Sequence, residues 1–318
     1  MTSVPSVTRR RALTLGGASL AGLAVPRGAS AHAPDAHAAL HHRRGSLPVG
    51  VIQDIVGAEG SVSAGGLDIT IDRTDVGPVK GPMGVTFPPS FEVNGDLTFQ
   101  PLGGDLAFFN GDLALKASEL NPVVDAIHSG GLVFQAMHQH YFDLDPMVWF
   151  VHFRGIGKPR TLAHAVRKVL DATATPLPQK RPVDPKTPLD HGKLAKTLHG
   201  SGDVGDDGVV TVSVSRSDRI VIGDVQVSPE ANISTNIEFL PLDAQGTRVA
   251  AAPDFSMTSS EVEPVCRRMR AAGFEIGCLY NQETDEHPQL YFAHMLAVGD
   301  PQKLAVEIRK ALDHTNAD

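Results

Sequence analysis

The sequence predicts an α+β protein built twice over: two tandem copies of an antiparallel sheet with helices packed on one face. Residues 111–171 align with 253–313 at a constant shift of 142 without a gap, and 18 of the 61 positions are identical. Within each copy, strand-like segments come first, followed by a helix, a hairpin and a closing helix. That order places the helices on one side of an antiparallel sheet. A length of 318 residues also suits two cores better than one.

Residues 1–33 read as an export signal of the twin-arginine type. Thr8-Arg9-Arg10-Arg11-Ala12-Leu13 carries adjacent arginines, and Leu13 to Val25 is weakly apolar and too short to span a bilayer. Arg27 precedes the small-residue sites Ala29-Ser30-Ala31 and Ala31-His32-Ala33. An ordinary secretory signal is the alternative, with the same destination by another route. The expectation is therefore an exported protein in the extracellular or periplasmic and cell-wall space, with no transmembrane segment. Removing this segment, with its four arginines and no acidic residue, takes the net charge from −8 to −12. Such a balance disfavours nucleic acid and anionic membranes as partners.

Residues 34–49, with His37, His41 and His42, read as a flexible, solvated tail. The first copy spans 50–171 and the second 193–318. Leu67 to Arg73 and Leu97 to Leu115 alternate like strands, with Gly-Asp turns. Ser118 opens a helix that tolerates Pro122 in its first turn and stops at Gly130-Gly131; Ser260 and Glu263 repeat the start as a capping-box pattern. Leu132 to His140 and Met147 to Arg154 form the predicted hairpin, and Pro159 to Asp171 the closing amphipathic helix. Between the copies, residues 172–192 hold Pro176, Pro178, Pro182, Pro185 and Pro188, the composition of a stiff linker. Cys266 and Cys278, the two cysteines, are either an oxidised pair or two small buried residues.

The chemistry-bearing residues lie on the hairpin. Side chains alternate faces along a strand, so Leu132, Phe134, Ala136, His138 and His140 are expected to share the core face. A loop over Asp143 to Met147 would set His138 directly opposite His152. Three neutral imidazoles on one face would supply a Zn, Cu, Ni or Fe site with open positions. Glu119, at a helix start, is the candidate fourth ligand or general base. His152 alone also reads as a hydrogen-bonded core histidine, because its counterpart His294 stands in a copy where Tyr280 and Gln282 replace the other two.

Ser118-Glu119-Leu120-Asn121-Pro122-Val123, Met137-His138-Gln139-His140 and Phe150-Val151-His152-Phe153, in tandem copies, resemble the LppY/LpqO family of exported bacterial proteins, a domain of unknown function. The resemblance implies export and a functional His-x-His at His138 and His140, and no particular reaction. The family's namesakes are lipoproteins, whereas this chain has no cysteine before Cys266 and is not expected to be lipidated. The reading is an exported metal-binding protein with a divalent transition metal at His138, His140 and His152. In a catalytic form, the ion would activate water or polarise a carbonyl while Glu119 handles protons. The alternative is a non-catalytic module binding a small-molecule or cell-envelope ligand, its histidines structural.

Overall fold

In the computed structural model of the chain, residues 46–63, 66–229 and 231–317 are described, and they lie within the compact unit Arg43–Asp318. The expected export signal, and the expected tail as far as residue 45 with its three histidines, lie outside the described residues.

The first half runs α1 (Val49–Val56), β1 (Ser61–Ser63), β2 (Gly66–Asp72), β3 (Val79–Lys80), β4 (Thr86–Phe87), β5 (Asn94–Gly103), β6 (Leu106–Leu115), α2 (Leu120–Ser129), β7 (Val133–His138), β8 (Trp149–Gly157) and α3 (Pro159–Leu170). The second half runs α4 (His191–Leu198), β9 (Ser201–Val204), β10 (Val210–Val214), β11 (Val221–Ile222), β12 (Val225–Gln226), β13 (Thr235–Pro241), β14 (Val249–Thr258), α5 (Val262–Ala271), β15 (Glu275–Ile276), β16 (Glu286–His287), β17 (Leu290–Gly299) and α6 (Pro301–Leu312). Each half carries a six-stranded antiparallel sheet, ordered β1-β2-β5-β6-β8-β7 and β15-β17-β14-β13-β10-β9. The predicted α+β class is therefore the observed one. A helix opens each half, where the sequence reading put strands first: α1 ends at Gly57 and α4 at His199, both left-handed. At eight residues each, α1 and α4 are too short for their periodicity to stand out, and tertiary packing holds them.

Strand alternation divides each sheet into an apolar and a polar face. Leu67, Ile69, Leu97, Phe99, Phe109, Leu113, Val151 and Phe153 pack under α1, α2 and α3. Val210, Val212, Ile237, Phe239, Phe255, Met257, Ala293 and Met295 do the same under α4, α5 and α6. The opposite faces meet each other. On one flank Ala114 and Phe150 cluster with Ala250, Ala252 and Leu296; on the other, Phe108 clusters with Leu290 and Phe292. Phe150/Phe292 and Phe108/Ala250 are mates at the 142 shift, so the flanks exchange roles as an isologous contact does. The layers run helices, sheet, sheet, helices.

The helix starts are held by the glutamates that follow the matched serines. Glu119 accepts from the Lys116 N–H at 2.8 Å and Glu261 from the Thr258 N–H at 2.7 Å. Glu263, expected to cap, pairs instead with Arg267 one turn along. Both cysteines are free and half-buried.

Candidate metal centre

The polar faces carry one row of side chains across each sheet. Thr70 pairs with Asp96, the Asp96 N–H donates to Asp112 Oδ1 at 2.8 Å, and Asp112 pairs with His152. In the second half Ser213 pairs with Asn236, Asn236 with Asp254, and Asp254 with His294. Hydroxyls anchor the outer ends: Thr70 Oγ1 donates to Asp96 Oδ1 at 3.0 Å, and Ser213 Oγ to Asn236 Oδ1 at 2.7 Å. The inner ends bring histidines from both repeats together.

Three side chains converge there. Glu92 lies two residues before β5 in the left-handed region, φ 58°, and its N–H donates to Glu238 Oε2 at 3.2 Å. The Glu92 Oε2 atom stands 2.8 Å from His140 Nδ1 and 3.2 Å from His294 Nδ1. The possible ligand atoms of the three residues all lie within 4.8 Å of one another, and all three residues are buried. This group could hold a metal ion: two imidazole nitrogens and one carboxylate oxygen suit zinc or iron and leave coordination positions open. The His140 ring is sandwiched between Phe150, at 3.3 Å between centroids, and His294, at 3.5 Å, which limits its rotation.

Burial sets the protonation of the cluster. It drives His140 and His152 down to about 3, helped by the charge of His294, and His138 well below its ordinary value, helped by His152 and His140. Neutral imidazoles keep a lone pair available to a metal. Burial also opposes the charge on Glu92, but His294 and His140 outweigh it and hold the carboxyl at about 2. At His294 burial is again overcome, by Asp254 and Glu92, and the value rises. A metal would compete with a proton for this second imidazole.

The four residues singled out in the sequence do not form one site. His138 and His152 do share a face, with Nε2 atoms 2.8 Å apart, but His138 pairs with Phe150 and Ala136 takes the place opposite His152. The connection is longer than the expected loop, since β7 ends at His138 and β8 begins at Trp149, and the pairing also carries a register irregularity between Phe134 and Ala136. The irregularity sends Leu132 and Phe134 to the helix side and Ala136 and His138 to the sheet-to-sheet interface, so the expected single core face is split in two. His140 lies beyond the end of β7 and turns to Glu92 and His294. Glu119 is elsewhere: Arg73 Nη2 donates to its two oxygens at 2.9 and 2.8 Å, and the Ala174 N–H to Oε1 at 2.9 Å. With those oxygens committed to a buried guanidinium and two backbone donors, Glu119 is a structural anchor of α2, and neither a fourth ligand nor a base is placed there.

Glu92 and His294 were not among the sequence candidates. The available signal for His294 was its identity with His152, read as structural. For Glu92 there was none, because its role depends on a left-handed turn and on the other repeat.

The outer ends of the polar rows line a cleft of about 500 Å³, where Thr70, Asp96, Ser213, Asn236 and Glu238 face one another. Glu238, through the Glu92 N–H, joins this cleft to the buried trio.

No helix among the described residues is long and apolar enough to cross a membrane. No curated protein matches the sequence. Among solved structures, EtuB from Clostridium kluyveri is similar at 8% identity over 80% of this chain and 88% of its own, with a TM-score of 0.18. A trimeric bacterial microcompartment shell protein, PduB, is similar at 9% identity over 84% and 89%, with the same TM-score of 0.18. Overlaps that poor carry no argument. The model of a Domain of Unknown Function (DUF1259) matches twice, over residues 50–172 and 192–314, and the chain belongs to that family as a tandem of two such domains.

Proposed function

We propose that the protein is an exported metal-binding protein that holds one divalent transition ion, zinc, copper, nickel or iron, through Glu92, His140 and His294. One observation carries the reading: a single buried carboxylate oxygen lies within 3.2 Å of imidazole nitrogens from two different repeats. The ion's chemistry would be that of a Lewis acid with open positions, the arrangement of catalytic rather than closed structural sites. The chain's own residues supply the rest. Glu92 keeps its charge, Phe150 fixes the His140 ring, and His138 with His152 forms an imidazole pair beside the trio. The His138-x-His140 likeness to the LppY/LpqO family supports both export and a functional role for this strand.

The test is metal analysis of the purified protein. One equivalent of ion per chain is expected, lost in Glu92→Gln, His140→Gln and His294→Ala. Stoichiometric metal in all three variants would reject the site. For export by the twin-arginine route, replacing Arg9 and Arg10 with lysine should leave the protein inside the cell, and unimpaired export would remove that route.

The cleft of about 500 Å³ favours a second reading, a non-catalytic module for a polar envelope ligand. Full ligand binding by metal-free protein would select it.

A further inference from the structure

The two halves exchange roles across an approximate two-fold, so the metal-holding trio must have a mate. The 142 shift takes His140 to Gln282 and His294 back to His152. Upstream, the pairing of Phe99 with Phe239 sets the shift at 140 and takes Glu92 to Asn232. The backbone agrees, since Glu92 and Asn232 are left-handed at φ 58° and 62°. So does the strand register, since Leu97 opposite Gly111 is repeated as Ile237 opposite Pro253.

The mate positions stay in contact while losing the donors. Where the His140 ring meets the Glu92 carboxylate, the Gln282 side-chain amide donates to the backbone carbonyl of Asn232. Gln282 and His152 are each 2% exposed, as enclosed as the trio. Glu to Asn removes the anionic oxygen, and His to Gln exchanges an imidazole for a neutral amide. Only His152 keeps its donor, and its Nε2 is engaged by His138.

We infer that Asn232, Gln282 and His152 are a dismantled second copy of the metal site, so that the tandem chain holds one ion where its symmetry provides two positions. The inference rests on the trio being a metal site. The asymmetry has a structural consequence: the Gln282 amide closes the second position with a hydrogen bond, and one half of the interface becomes a permanent brace for the other.

The experiment is restoration. In purified full-length protein, Asn232→Glu with Gln282→His should raise bound zinc from one equivalent per chain to two, and adding His152→Ala should return it to one. A folded double variant that still binds one equivalent overturns the inference and leaves the metal-site reading intact, whereas wild-type protein that binds none overturns both. If the double variant does not fold, Gln282→His alone supplies the second imidazole opposite His152. It should then show a second, weaker cobalt equivalent in the visible spectrum, and a single equivalent at saturation is the overturning result.

Discussion

The rings of His138 and Tyr280 stack at 3.6 Å between centroids with 20° between their planes. The two positions are mates at the 142 shift, so the approximate two-fold passes between them. Each ring also reaches its own repeat's matched histidine: His138 meets His152 at 2.8 Å, and the Tyr280 hydroxyl meets His294 Nε2 at 3.4 Å. The stack is the centre of the interface and lies outside the trio.

His138→Tyr should therefore keep one equivalent of metal, because the substitution reproduces the mate and leaves Glu92, His140 and His294 untouched. Metal analysis with a melting curve checks this. Loss of the ion from a folded variant would make His138 a ligand.

Gly277 belongs to the second repeat and contributes no ligand, yet a Cβ there would come within 2.1 Å of the His140 carbonyl oxygen and 2.6 Å of the Tyr141 ring. Gly277→Ala must push back the segment that carries His140. Metal affinity is expected to fall at least tenfold while helical content is unchanged, as read by competition with a chelator and circular dichroism. Unaltered affinity would mean that the segment is not held from the other repeat.

Bound metal should stabilise the fold by mass action, by about 2.7 kcal/mol at a free concentration one hundred times Kd. A chelator should lower Tm of the wild type, and His140→Gln should melt at the chelated temperature with or without metal. Equal Tm values for loaded and stripped wild type would contradict this.

Arg73 is fully buried and bridges Asp75 and Glu119 at 2.9 and 2.8 Å. Removing one partner of a buried pair strands the other charge, so Arg73→Met should destabilise by about 3–5 kcal/mol in denaturant titrations. Asp75 adds an acid limb to the same network. Burial would raise its value, but hydrogen bonds from Arg73 and Lys116 hold it at about 2, against an ordinary value of 3.8. Its contribution is present above about 4 and is lost as pH falls toward 2.

Glu283 and Glu286 titrate in the opposite direction. Burial, and for Glu283 the neighbouring Glu286, pushes them up to about 8 and about 7 from 4.5. The folded state holds these protons after the unfolded chain has released them, so stability falls as pH rises from about 5 to 8. The double variant Glu283→Gln, Glu286→Gln should flatten that decline in Tm. A slope unchanged from wild type would place the cause elsewhere.

The sequence by itself determined the duplication and the α+β class, because a gapless 142-residue shift and strand alternation are local, one-dimensional signals. Register was not determined in this way: the irregularity at Phe134 to Ala136 exchanges the faces of one strand through a backbone feature that side-chain alternation cannot announce. Glu119 reads as a reactive group because it stands at a helix start, but it recurs as Glu261 to anchor that start in each repeat, with Arg73 and Arg216 as the partners. Glu92 and His294 became ligand candidates only when two sheets met face to face. An ion site needs donors within a few ångströms, and residues 92, 140 and 294 acquire that proximity from tertiary packing alone.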